Sequence, residues 1–346
     1  MRAVTWHGEE DVRVEEVPDP ELEAPDDAVL EIERSAICGS DLHVYHGEIP
    51  GVLPGTVVGH EFVGTVAEVG PAVRGLETGD RVVGPFHVAC GSCPACRRRE
   101  HHQCEESAVY GFGMAFGDLP GAQAERLRVP HADVNLRRVP DGVEPEAALF
   151  AGDILSTAYG AVRKAGLGPG ETCAVIGCGP VGQLVVECAR LFGASRIFAV
   201  DLVDERAEAA GELGAEPVHS GSVDPVARVQ ERTGGEGADL VVEAVGGPET
   251  LQLAFDLVRG GGRISAVGVT AAETFDYPLM TSLVRDLSFR IGLANVHREM
   301  GTVLELTAAG RLDPARLVSH RLPLEEAPGG YRLFADRRAT KVLLEP

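Results

Sequence analysis

The stretch "ETCAVIGCGPVGQLVVECARLFGASRIFAVD", residues 171–201, decides the fold of this chain. It opens on a short apolar run, Thr172 to Ile176, of the kind that forms a strand buried in a parallel sheet. "GCGPVG" follows and supplies Gly177, Gly179 and Gly182 in a G-x-G-x-x-G pattern, with Pro180 and Val181 before the last glycine. Residues with helical apolar spacing come next and stop near Gly193. "RIFAV" then makes a second strand that ends at Asp201. The glycines provide, in turn, a tight turn, room for a pyrophosphate against the backbone, and close helix–strand packing. The free N–H groups at the helix start suit phosphates. An acidic residue about 20 positions further on can accept hydrogen bonds from ribose hydroxyls. With all these parts in register, the stretch reads as a dinucleotide site rather than a chance glycine-rich turn.

Further strands follow at the spacing of alternating strands and helices: "ADLVVEAVG" (238–246), "GGRISAVGV" (261–269) and "LSFRIGLA" (287–294). The stretches "PVARVQERT" and "PETLQLAFDLV" between them read as helices. The expectation is an α/β domain with a doubly wound parallel sheet over residues 155–290. Cys173, Cys178 and Cys188 sit on its apolar elements and read as small hydrophobes rather than ligands.

A chain of 346 residues suggests two domains. The formal net charge of −22 speaks against nucleic acid and anionic membrane surfaces as partners. No apolar run approaches the roughly 18 residues that a membrane helix needs. The start, "MRAVTWHGEEDVRVEEVPDP", has no apolar signal core, so a cytoplasmic location with reduced thiols is expected. That disfavours disulfides.

Half of the chain's 8 cysteines fall in "VACGSCPACRRREHHQC", residues 88–104. Cys90, Cys93, Cys96 and Cys104 follow C-x2-C-x2-C-x7-C, and two-residue gaps let successive thiolates face one centre from a tight loop. Four thiolates on zinc leave no open position, so this reads as a structural site. An iron–sulfur cluster is the rival, because such clusters also use C-x2-C-x2-C runs. His101 and His102 are further potential ligands, but the four cysteines suffice.

The N-terminal part carries short alternating segments ("AVLEIERSAI", "EFVGTVAEVG", "DRVVGPF") set off by Gly, Pro and Asp, which points to an antiparallel, barrel-like β domain. Its polar groups concentrate in "AICGSDLHVYHG" (36–47) and "VVGHEFVG" (57–64). Cys38, Ser40, Asp41, His43, His60 and Glu61 are there as potential ligands, relays or supporting groups.

The chain resembles the zinc-containing medium-chain alcohol dehydrogenases along essentially its whole length. The motifs that carry the likeness are "CGSDLH", "GHEFVGTVAEVG", the four-cysteine lobe and "GCGPVG". The resemblance implies a GroES-like β-rich catalytic domain, residues 1–154 and 291–346, with a Rossmann domain, residues 155–290, inserted into it. It implies two zinc ions, one catalytic and one structural, and NAD as coenzyme. Cys38 and His60 would hold the catalytic zinc, with Asp41 orienting His60 and Glu61 a carboxylate near the metal. Many members supply a cysteine as third ligand; here "FAGDILSTAYG" offers Asp153, with Thr157 after it near the nicotinamide. An Asp153 that only caps the following helix is the alternative.

In the family mechanism, zinc lowers the pKa of the substrate oxygen. Ser40 passes the proton through the coenzyme ribose to His43, and hydride goes to the nicotinamide. The resemblance also implies a substrate pocket walled by Phe86 and Leu293. The coenzyme would lie against Asp201, Arg206, Val245, Val267 and Val269, with Lys341 at its pyrophosphate. The text "GPFHVACGSC", "GDILSTAYGAV" and "GAQAERLRVPHADVNLRRVPD" is locally similar to glutathione-independent formaldehyde dehydrogenases, although this chain is shorter. Polyol, threonine and secondary-alcohol dehydrogenases share the same core. A zinc-independent quinone reductase and a non-catalytic nucleotide-binding protein are the rival readings. A homo-oligomer, dimer or tetramer, is expected, with "LSFRIGLA" able to pair across a two-fold axis.

Overall fold

The computed structural model describes residues 1–270 and 272–346. They form two compact units, Met1–Ser156 with Asn295–Pro346, and Thr157–Ala294. The first boundary falls inside the helix Ile154–Ala165, two residues beyond the expected 154; the second lies four beyond 290.

The first unit is β-rich. Its strands are β1 (Arg2–Gly8), β2 (Asp11–Glu16), β3 (Ala28–Ile37), β4 (Thr56–Val57), β5 (Glu61–Val69), β6 (Arg81–Val83), β7 (Arg126–Val129) and β8 (Arg137–Arg138). β2, β1 and β4 make a small sheet, while β3, β5, β6 and β8 belong to a seven-stranded one in which β7 also pairs with β3. β3 buries Ala28, Leu30 and Ile32 on one side, and Phe62 of β5 packs edge-on against Tyr110 with centroids 5.3 Å apart. Each such ring taken from water contributes about 1.5–3 kcal/mol, so this core holds the strand ends in place.

The second unit holds β9 (Thr172–Ile176), β10 (Arg196–Asp201), β11 (Glu216–His219), β12 (Ala238–Glu243), β13 (Val258–Ala266) and β14 (Ser288–Ile291). All pairings are parallel and the order is β11-β10-β9-β12-β13-β14. This is the doubly wound order, with its switch between β9 and β12, where ligands bind in such sheets. Every strand and helix expected between residues 172 and 291 is present. β11, the short polar "EPVH", was not expected from the pattern.

The chain then returns to the first unit. β15 (His320–Pro323) pairs in parallel with β16 (Val342–Glu345), and β16 lies antiparallel on β3, with Val342 opposite Ile37. Among the described residues no helix is long and apolar enough to cross a membrane.

Candidate metal centre and coenzyme site

Strand register brings the first ligand set together. Ala36 of β3 faces Glu61 of β5, so Cys38 just past β3 and His60 just before β5 emerge side by side. Gly59, at φ +92°, makes the turn into His60, and a Cβ there would stand 2.3 Å from Cγ of Gln123. Asp153 arrives from the short turn Phe150–Gly152 that precedes the helix Ile154–Ala165.

Asp153 Oδ2 lies 3.5 Å from Cys38 Sγ and 3.3 Å from His60 Nε2. One ligand atom from each of the three residues falls within 4.8 Å of the others. Around one tetrahedral zinc, S, N and O ligands stand about 3.3–3.6 Å apart, so these atoms already have ligand spacing. All three residues are buried. The Asp153 carboxylate is therefore turned to the cluster.

The electrostatics ask for a cation. Burial, and then Glu61 and Asp153, push the Cys38 thiol up, so a thiolate needs positive charge beside it. Burial opposes charge on the His60 ring, but Asp41, Asp153 and Cys38 outweigh it and raise its pKa well above the usual range. Asp41 Oδ1 lies 2.9 Å from His60 Nδ1, which leaves Nε2 aimed at Asp153. The other Asp41 oxygen accepts the Cys38 N–H at 2.9 Å and the Gln123 amide at 3.3 Å. Tyr331 in turn donates to Gln123 Oε1 at 2.9 Å. Neither Gln123 nor Tyr331 is singled out by the sequence; "GAQAERL" carries a local likeness but no ligand pattern, and Tyr331 lies 208 residues further on.

Ser40 Oγ is 3.2 Å from His60 Nε2, and His43, half-buried one helical turn on, faces Glu48 at 2.5 Å. Phe86 and Phe112 flank His60 edge-on at 6.3 and 5.5 Å, and Phe116 continues from Phe112 at 5.8 Å. Phe112 and Phe116 were not singled out in the sequence, because no pattern separates them from core.

Lys341 is placed in the first unit, one residue before β16. It is 1% exposed, and its ammonium is bonded to the Glu61 carboxylate, which is 0% exposed.

In the lobe, the four sulfurs of Cys90, Cys93, Cys96 and Cys104 converge within 4.8 Å of one another. The Cys93–Cys104 and Cys90–Cys104 separations are 3.9 and 3.6 Å. Thiolates around a single zinc stand about 3.8 Å apart, and this spacing leaves no room for several irons between them. It is also far beyond a disulfide's S–S length of about 2.0 Å. Backbone N–H groups of Cys90, Cys93, Cys96 and Glu106 point at the sulfurs at 3.3–3.5 Å. Such donors, that of Cys96 foremost, bring the Cys93 thiol down to about 6. His101 instead stacks on His297, with centroids 4.9 Å apart. Both ligand sets fit zinc.

In the second unit Gly177, at φ +87°, turns the chain after β9, and Gly179 caps the helix Pro180–Leu191. At Gly182 a Cβ would stand 1.8 Å from the Gly177 carbonyl oxygen, so only glycine lets helix and turn touch. Asp201 accepts the N–H of Cys178 at 2.7 Å and that of Val203 at 2.8 Å, which ties β10 to the glycine loop. Arg206 lies half-buried on the next helix, Asp204–Glu212. Val245 and Val269, at 50% and 57% exposed, present apolar surface at the strand ends; Val267 and Thr157 are half-buried and Leu293 is 50% exposed. Cys173, Cys178 and Cys188 are fully buried, and burial pushes the Cys173 thiol up to about 12. They are core.

Comparison with known proteins agrees with this geometry. Residues 24–141 match the profile of the alcohol dehydrogenase GroES-like domain, and residues 180–309 that of the zinc-binding dehydrogenases. The chain is 36% identical to AdhB, a zinc-type alcohol dehydrogenase-like protein of Bacillus subtilis (strain 168), over 100% of both chains. The solved structure of alcohol dehydrogenase TADH from Thermus sp. ATN1 is similar at 56% identity and a TM-score of 0.98, covering 100% of this chain and 99% of that one. A zinc-binding dehydrogenase from Sinorhizobium meliloti 1021, solved bound to NADP, is similar at 30% identity and a TM-score of 0.88, covering 100% and 99%. Ligand spacing, the doubly wound sheet and these likenesses over the full length agree, and the chain belongs to the zinc-binding alcohol dehydrogenase family.

Proposed function

We propose that the chain oxidises alcohols with apolar substituents to aldehydes or ketones, with NAD as acceptor and the reverse reaction open to it. The observation that carries the reading is the convergence of Cys38, His60 and Asp153 in a buried cluster flanked by Phe86 and Phe112. Zinc held there supplies Lewis acidity, which lowers the pKa of a substrate hydroxyl. Ser40, beside His60, takes the substrate proton, and half-buried His43 hands it on toward solvent. The flanking rings favour a hydrocarbon substituent over a polyol chain, which would leave hydroxyls unpaired against them. A quinone reductase that works without zinc would have no use for the three ligands.

The preference for NAD rests on Asp201. A 2′-phosphate about 4 Å from its carboxylate meets roughly 4 kcal/mol of repulsion at an effective dielectric near 20, about a thousandfold in affinity before solvent screening. Arg206 is the opposing cation. Within the second unit, Thr157, Val245, Val267 and Val269 are the residues assigned to the nicotinamide. A homo-oligomer is part of the proposal, supported by β14, an edge strand bearing exposed Ile291 after a helix with exposed Leu279, Leu283 and Val284. Sedimentation equilibrium tests it; a monomer at micromolar concentration rejects it.

Initial rates on matched apolar alcohols, polyols and formaldehyde, each with NAD and with NADP, test the whole proposal. Expected is a kcat/KM at least tenfold higher for apolar alcohols and at least tenfold higher with NAD. Equal or better kcat/KM with NADP would assign the ribose pocket to Arg206, and faster polyol turnover would reject the apolar pocket.

A further inference from the structure

The strand order of the second unit reverses between β9 and β12, and Glu243 stands at that point: it is the last residue of β12, paired with Ile176, the last of β9. Its side chain is fully buried. One carboxylate oxygen, Oε1, accepts three hydrogen bonds: from the Val245 N–H at 2.8 Å, the Gly246 N–H at 2.8 Å and the Thr250 hydroxyl at 2.9 Å. The Thr250 oxygen in turn accepts the Gly247 N–H at 3.1 Å. The other Glu243 oxygen, Oε2, is buried and has no hydrogen-bond partner among the described residues. The hydrogen bonding of this carboxylate is therefore given to residues 245–250. Bonds to a carboxylate are about twice as strong as bonds between neutral groups, so the turn after β12 is held with little play.

The backbone of Glu243 reaches the next strand end as well. Its carbonyl accepts the Val267 N–H at 2.8 Å and the Gly268 N–H at 3.2 Å, just past β13. The turns after β9, β12 and β13 are in direct contact. A Cβ on Gly177 would stand 2.5 Å from Cγ2 of Val245, and one on Gly246 would stand 2.0 Å from the Val269 carbonyl oxygen. One on Gly268 would stand 2.2 Å from the Gly246 nitrogen. No methyl group fits between these turns, so a shift of residues 245–247 is passed to the glycine turn on one side and to residues 267–269 on the other. The carboxyl ends of the strands around such a reversal are where a dinucleotide lies.

We propose that Glu243 is a positioning residue for the coenzyme: by holding the turn after β12 it sets the wall of the crevice on which the dinucleotide rests. The inference rests on the reading of the second unit as the coenzyme domain. It gives a buried side chain outside the glycine motif control over coenzyme affinity.

The test measures the Kd for NADH by fluorescence titration of the full chain, beside steady-state kinetics, zinc content and thermal unfolding. Glu243→Met removes the acceptor at nearly constant volume. It is expected to raise the Kd for NADH and the KM for NAD about tenfold or more, since small displacements are costly in a well-positioned site. Zinc content and the alcohol KM at saturating NAD are expected to stay within twofold. Glu243→Gln keeps an acceptor oxygen and is expected to bind NADH within threefold of wild type. A role in stability alone would lower the unfolding temperature and the active fraction, and leave the Kd of the folded protein unchanged. Thr250→Val removes one of the three donors; it is expected to raise the Kd threefold or more, and serves if Glu243→Met does not fold. Wild-type NADH affinity in folded Glu243→Met, or in Thr250→Val in its place, overturns the inference. So does a Glu243→Gln variant that loses as much affinity as Glu243→Met. A wild-type chain that binds neither NADH nor NADPH removes the coenzyme reading itself, and this inference with it.

Discussion

An alanine at position 182 would put its Cβ 1.8 Å from the carbonyl oxygen of Gly177 and 2.9 Å from the carbonyl carbon. An ordinary C···O contact is about 3.3 Å, so helix and turn would have to part by about 1.5 Å. Neither side has slack. The turn is tied down by the Gly177 N–H to Val200 O at 2.9 Å and the Cys178 N–H to Asp201 at 2.7 Å. The helix Pro180–Leu191 buries Leu184, Val185, Val186 and Ala189 against its unit. The helix start is the part that must give, and it carries the N–H groups meant for the pyrophosphate. A misplacement of about 1 Å costs on the order of a hundredfold in a well-positioned site. We therefore expect Gly182→Ala to raise the Kd for NADH about a hundredfold, or about 2.7 kcal/mol. Overpacking adds a stability loss of about 1–3 kcal/mol. Fluorescence titration of NADH measures the first and thermal unfolding the second, with metal analysis expected to show unchanged zinc. A folded variant that binds NADH within threefold of wild type would refute the role given to the third glycine.

Three further outcomes follow from the metal sites. A mild chelator should abolish turnover while leaving about one zinc per chain and the fold intact, because four thiolates close on their ion and the other site stays open. Metal analysis of active protein that finds one zinc or none rejects two sites. Asp153→Ala should lose the catalytic zinc and activity with little change in unfolding temperature; a variant that keeps both zincs and near-normal rates would make Asp153 a helix cap alone. Asp41→Ala should weaken catalytic zinc binding by about 10–100-fold, since His60 loses the carboxylate 2.9 Å from its Nδ1 and the Cys38 N–H loses its acceptor. Competition with a chelating dye measures this, and unchanged affinity would mean that packing alone orients His60.

The coenzyme strand–turn–helix was legible because every determinant is local. Glycines that permit a turn, an apolar run of strand length and a carboxylate at the right distance act within about 30 residues of each other. The cysteine lobe was legible for the same reason, and the sulfur spacing speaks against an iron–sulfur cluster, while His101 stacks on His297. β11 escaped notice because "EPVH" has neither apolar alternation nor β-branched density; pairing with β10 makes it a strand. The aromatic flank of His60 escaped because a phenylalanine beside a metal and one in a core look alike in sequence.

The sequence by itself determined the parallel coenzyme sheet, the four-thiolate lobe and the residue types able to hold a catalytic metal, since each depends on neighbours along the chain. Only the tertiary structure decided which of those residues meet. Asp153 reaches Cys38 across 115 positions, and Gln123 reaches Asp41 across 82. The same holds for Lys341: nothing in "ATKVLLEP" distinguishes a surface lysine from a phosphate ligand or a buried counter-ion. Its burial against Glu61 follows from the antiparallel register of β16 on β3, and register is set by long-range pairing and core burial, which local sequence does not encode.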